Sequence, residues 1–158
     1  MTPDRIAYLA GYFEARGSIV ARASDLESRY VPGKILRRHA FEVTLSGPPS
    51  LIDAVAHAFG GAKQTRRHWR ATSATAARFL ATIFPHVRHR REEIEAGLDF
   101  YRSMRDRPYR GRAVPPEVEA ERDRLAERVA ALRGTRKDYG KRIRLGLELR
   151  GEVKESVA

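Results

Sequence analysis

A helix that runs straight into a strand, with a single glycine at the junction, constrains this chain more than any other feature. In residues 3–16, Ile6, Leu9, Ala10 and Phe13 fall at i, i+3, i+4 and i+7, one apolar stripe of helical period. Thr2 stands where an N-cap belongs, Pro3 suits the first turn, and Gly17 ends the helix. From Ile19 to Ala23 the period changes to two, with Ile19, Ala21 and Ala23 on one face and Val20 and Arg22 on the other. The opening of the chain therefore calls for mixed α and β structure.

The same alternation of patterns continues. Leu36 to Leu45 reads as a second strand, Phe41, Val43 and Leu45 on its apolar face and Arg38, Ala40, Glu42 and Thr44 opposite. A polar loop closes between the strands near Val31-Pro32-Gly33-Lys34. Pro48-Pro49-Ser50 starts a helix carrying Leu51, Ile52, Val55 and Phe59, which stops at Gly60-Gly61. Residues 62–72 form a basic hairpin turning at Arg66-Arg67, where Gln64, Arg66, His68 and Arg70 share one face while Trp69 and Ala71 turn inward. A third helix covers Ala74 to Phe84, with Ala77, Leu80, Ala81 and Phe84 as its inner stripe, and Pro85 ends it. Arg91 to Met104 is a fourth, burying Ile94, Leu98 and Tyr101. Pro115-Pro116-Glu117 opens a last helix through Val118, Leu125, Val129 and Leu132, broken at Gly134. The order is an α+β (mixed α/β) αββαββα core plus C-terminal helices. Its parts are a core over 1–104, an Arg- and Pro-rich linker over 105–116, a helical extension over 117–150 and a frayed tail over 151–158.

At 158 residues the chain suits one domain. Lys and Arg total 31 against 20 acidic residues, a net charge of +11 that favours a polyanionic partner, nucleic acid or an anionic membrane surface. Only Lys34, Lys63, Lys137, Lys141 and Lys154 are lysines, so the charge is mostly guanidinium, which grips phosphates and guanine edges at two points. The absence of Cys excludes disulfides, thiolate zinc sites and Cys nucleophiles. His39, His57, His68, His86 and His89 lack HxxxH or HExxH spacing, which argues against zinc. No apolar run approaches the roughly 18 residues of a membrane span, and Asp4, Arg5 and Glu14 stand where a secretory signal would be apolar. The expected location is intracellular, in the cytoplasm or nucleoid.

The stretch Tyr8-Leu9-Ala10-Gly11-Tyr12-Phe13-Glu14-Ala15-Arg16-Gly17-Ser18-Ile19 resembles the signature helix of the LAGLIDADG homing endonucleases. The element order matches that family's core written once. Phe41-Glu42-Val43-Thr44, Phe84-Pro85, Leu125 to Leu132 and Thr135-Arg136-Lys137 look like the corresponding stretches of its single-motif members, so the resemblance spans about residues 6–145. It implies a homodimer whose first helices meet through Leu9, Ala10, Gly11, Phe13, Glu14 and Gly17, and a saddle-shaped antiparallel sheet lying over major grooves of a pseudo-palindromic site. The competing expectation for Ala10-Gly11 is an ordinary core contact with the chain's own sheet. On the face assigned outward, Val20, Arg22, Ser24, Arg38, Glu42, Thr44, Gln64, Arg66, His68 and Arg70 would meet DNA. Arg suits guanine, Gln adenine, and Glu can accept from cytosine. Arg136, Lys137, Lys141, Arg142 and Arg144 would hold flanking phosphates, or else form a solvated tail.

The resemblance also implies a catalytic acid. In that family an Asp or Glu just before the closing Gly holds the catalytic metal, and here the position is Arg16. A guanidinium has no lone pair for a metal and stays charged. The polar residue near the end of the second strand is matched by Leu45, and the basic residue after the Phe-Pro element by Arg90. Glu14 is the one acid nearby, yet residues two apart on a helix point about 200° away from each other. The expectation is a homodimeric, sequence-selective double-stranded DNA binder, a possible regulator, with no catalytic residue, metal or other cofactor. The alternatives are an active endonuclease using Mg²⁺ and a maturase-like RNA binder.

Overall fold

The computed structural model describes residues 1–28, 31–106 and 113–134. Helix α1 spans Pro3–Arg16 and passes without a loop into β1, Gly17–Glu27. Strand β2 covers Ile35–Ser46, α2 Pro49–Phe59, β3 Ala62–Thr65, β4 His68–Thr72 and α3 Ser73–Ile83. A single 3-10 turn at Phe84–His86 leads to α4, Arg91–Arg105, and α5 occupies residues 116–134. This is the expected αββαββα order with C-terminal helices. Thr2 sits at the N-cap position with extended backbone, but its side chain makes no capping bond.

The four strands form one antiparallel sheet in the order β1-β2-β4-β3. The first hairpin is longer than the apolar alternation foretold, because β1 continues through Ser24, Asp25, Leu26 and Glu27 on ladder pairing with β2. An ion pair between the cross-strand partners Asp25 and Arg37, 2.9 Å long, supports that polar extension.

The described helices gather on one face of the sheet, where Ile19, Phe41, Val43, Leu45, Trp69 and Ala71 are buried. Phe79 of α3 is the hub. Its ring lies edge-on to Phe13 and Phe59 and tilted against Trp69, with centroids 5.5, 5.2 and 4.9 Å away. The inner stripe of α3 is therefore Ala76, Ala77, Phe79, Leu80 and Ile83. Ala81, expected inside, is exposed, because burying the larger Phe79 and Ile83 turns the helix away from it. On α4 Ile94, Ala96, Gly97 and Phe100 are buried, while Leu98 and Tyr101 are half-buried. Gly97 lets the helix lie close to the sheet: a Cβ there would stand 3.0 Å from Ile19 and 3.3 Å from Phe41.

Helix α5 is tied to the sheet by Asp123. One carboxylate oxygen bonds His39 Nε2 at 2.7 Å and the other accepts from Arg37 at 3.0 Å. Among the described residues no helix is long and apolar enough to cross a membrane.

Candidate nucleic-acid interface

The face of the sheet away from the helices follows from register. Ser18↔Thr44, Val20↔Glu42, Arg22↔Ala40 and Ser24↔Arg38 are paired across β1 and β2, and Glu42↔Thr72 and Thr44↔Arg70 across β2 and β4. Directly paired residues project on the same side. Val20, Arg22, Ser24, Arg38, Glu42, Thr44 and Arg70 therefore share one surface, as their alternation predicted. A groove of about 610 Å³ runs over it, lined by Arg22, Ser24, Arg38, Glu42, Arg70 and Thr72 among others.

The second hairpin is less regular. His68 lies on β4, exposed. The pairing shifts between Lys63 and Thr65, so Gln64 sits at an irregularity and alternation does not determine its direction. Arg66 belongs to the turn itself. With no Gly available there, Thr65 organises the turn: its Oγ1 accepts from Arg67 N at 3.2 Å and bonds His68 Nδ1 at 2.9 Å. Arg136, Lys137, Lys141, Arg142 and Arg144 lie outside the described residues.

The first helix divides differently from the expectation. Leu9, Ala10 and Phe13 are 1%, 0% and 0% exposed inside the chain's own core, so a second copy cannot reach them. Gly17 is buried too, and a Cβ on it would overlap the Phe13 ring. On α1 the exposed positions between its terminal residues Pro3, Asp4, Arg5 and Arg16 are Ala7, Tyr8, Gly11 and Ala15, while Glu14 is half-buried. A Cβ on Gly11 would meet nothing within 4 Å, so the chain's own packing does not require a glycine there.

At the junction of α1 and β1 two matched positions, Leu45 and Arg90, and the nearby acid Glu14 behave unlike groove-facing residues. Leu45 is fully buried, paired in register with Gly17 and Trp69 on the core face. Arg90 is 5% exposed and points inward. Its Nη1 donates to the carbonyls of Phe13 and Gly17 at 2.8 and 3.0 Å, and its Nε and Nη2 donate to the two Glu93 oxygens, both at 2.7 Å. It clamps the end of α1 to the start of α4. Glu14 serves the same junction from the other side, its Oε1 accepting from the backbone N–H groups of Arg88, His89 and Arg90 at 2.9, 2.6 and 3.3 Å. Arg16 alone is exposed, with no hydrogen bond or ion pair among the described residues.

The architecture matches solved homing endonucleases. The chain superposes on I-CvuI, solved in complex with the I-CreI target, at a TM-score of 0.63 and 18% identity, with 81% of each chain covered. The archaeal intron-encoded enzyme I-Vdi141I, solved with DNA, gives 0.58 at 13% identity over 82% of this chain and 84% of that one. I-TnaI gives 0.59 at 13% over 87% and 97%. This chain has the LAGLIDADG homing-endonuclease fold. No family model and no curated protein matches the sequence.

In a LAGLIDADG fold the end of α1 is where the resemblance puts a divalent metal, and the donor set here does not fit one. Arg16 offers a cation in place of a lone pair. Glu14 spends one oxygen on three backbone donors. Among the described residues no three His, Cys, Asp or Glu side chains gather into a metal-ligating group.

The partners of neither clamp were legible in the sequence. Glu93 follows Arg90 at i+3, a spacing that marks a helical ion pair, but nothing local says that the pair is buried against α1.

Proposed function

We propose that the chain is a homodimeric, sequence-selective double-stranded DNA-binding protein that does not cleave its target. The observation that carries this reading is the exposed Arg16 at the end of α1, with no hydrogen bond or ion pair among the described residues, where the resemblance implies a metal-binding acid. A cation there attracts phosphate instead of a divalent metal. The sheet face supports the same partner, since Arg22, Arg38 and Arg70 share it. The solved homing endonucleases I-CvuI and I-Vdi141I hold DNA.

Dimerisation is supported by α1. A glycine inside a helix costs about 1 kcal/mol relative to Ala, and Gly11 has open space around it. The exposed, small Ala7, Gly11 and Ala15 recur every four residues and permit close approach of a second backbone. Selective grip without scission suits a regulator.

Selection from random duplexes tests the binding, and supercoiled plasmid with Mg²⁺ or Mn²⁺ tests the chemistry. The expected results are a pseudo-palindromic site and intact plasmid. Metal-dependent double-strand breaks would overturn the claim of no cleavage. Stronger enrichment of structured RNA than of any duplex would overturn the claim of a DNA target.

A further inference from the structure

We propose that Glu42 is a positioning residue that presents Arg22 and Arg70 to guanine edges, so that each half of the target contains two guanines read by this trio. The inference deepens the DNA-binding reading above and rests on it.

The geometry begins with register. Glu42 lies on β2, with Val20 opposite on β1 and Thr72 opposite on β4. Arg22 and Arg70 are its diagonal neighbours, one on each flanking strand, at the distance that long side chains span. Arg22 stands opposite Ala40, whose methyl leaves room for it to lean toward β2. Nη2 of Arg70 donates to Glu42 Oε2, and Nη2 of Arg22 stands 3.8 Å from the same oxygen.

Exposure assigns the roles. The Glu42 side chain is 14% exposed, against 35% for Arg70 and 58% for Arg22. The carboxylate therefore lies beneath two guanidiniums that stand over it. With Oε2 already engaged, it is poorly placed to accept from a cytosine amino group. Both cations retain donors: Arg22 makes no hydrogen bond among the described residues, and Nη1 of Arg70 has no partner there.

Guanine presents N7 and O6 side by side in the major groove, and a guanidinium meets both at once. An arginine already held by a carboxylate loses less freedom on doing so. Glu42 also repels phosphate, so it weakens binding to any duplex while sharpening binding to the right one. That combination separates it from a residue that merely adds affinity.

Selection from random duplexes with the wild type, R22A, R70A and E42Q tests the proposal, with thermal unfolding confirming that each variant is folded. The wild type is expected to enrich two guanines per half-site, R22A to lose one and R70A the other. E42Q is expected to weaken both preferences about tenfold, with non-cognate affinity unchanged or higher. If E42Q keeps both guanines, or changes only a third position, Glu42 is not positioning the pair. A selected site without Arg-dependent guanines overturns this proposal alone, whereas no enrichment by the wild type overturns the DNA-binding reading as well. Should E42Q fail to fold, E42D decides: its carboxylate stops one methylene short of both guanidiniums, and an unchanged preference for both guanines in E42D overturns the proposal.

Discussion

Arg90 donates to the carbonyl of Phe13 at 2.8 Å and lies over the ring of the same residue, 4.6 Å from its centroid. It also shares a buried two-point ion pair with Glu93, the side chains 4% and 5% exposed. Removing one partner strands the other as a buried charge, a loss of about 3–5 kcal/mol, whereas apolar replacement of both is far milder. R90M and E93L should each be strongly destabilised in urea unfolding, and R90M/E93L should lose less than the sum of the two. Additive losses would show that the pair is not coupled.

Arg16 should act on DNA as a phosphate-binding charge. R16A is expected to weaken binding to all duplexes about equally and to lower the slope of log K against log salt by about two per dimer, one phosphate per copy. A change confined to one base position would assign it to readout instead. R16E should not cut plasmid in Mg²⁺, because Leu45, matched to the family's polar residue near the end of the second strand, stays apolar and buried in the core.

Gly11 separates association from folding. A Cβ there meets nothing within 4 Å, so G11L should remain folded, with melting close to wild type. If two α1 helices approach across Ala7, Gly11 and Ala15, the leucine forces them apart. Sedimentation should then find a monomer where the wild type is a dimer, and a G11L dimer would remove α1 as the contact.

Asp123 predicts an acid limit. Burial alone would raise its carboxyl, but hydrogen bonds from His39 and Arg37 and their charges outweigh that and hold it below the ordinary range. A lowered folded-state pKa means that the contribution to stability is complete above the unfolded value, about 3.9, and fades as pH falls through the folded value below it. Between about pH 5 and 3 the urea midpoint of the wild type should fall more steeply than that of D123N. Parallel curves would show that the carboxylate does not hold α5 to β2.

Much of the outward face was readable in advance. A strand turns alternate residues to opposite sides, and Ile19, Phe41, Val43 and Trp69 leave no doubt about which side is the core, so Arg22, Glu42 and Arg70 followed. The same rule stopped short at Gln64 and Arg66, where a shift in pairing and a turn suspend alternation. It gave no warning that Glu42 lies lower than its arginines, since exposure depends on the length and lean of neighbours on two other strands.

The sequence by itself determined the order of elements, the face each strand turns to the core and the cationic surface opposite, because these depend on periodicity within short segments. Only the tertiary structure decided what covers each apolar stripe. Leu9, Ala10 and Phe13 form one face by spacing alone, but spacing does not say whether the chain's own sheet or another copy lies against it; the sheet does. Glu14 and Arg90 likewise found their partners 73 to 77 residues away, at the junction of α1 and α4. The carboxylate of Glu14 and the guanidinium of Arg90, which the resemblance set near the reacting end of α1, are held by groups that folding brought there, and Arg16 is left facing outward.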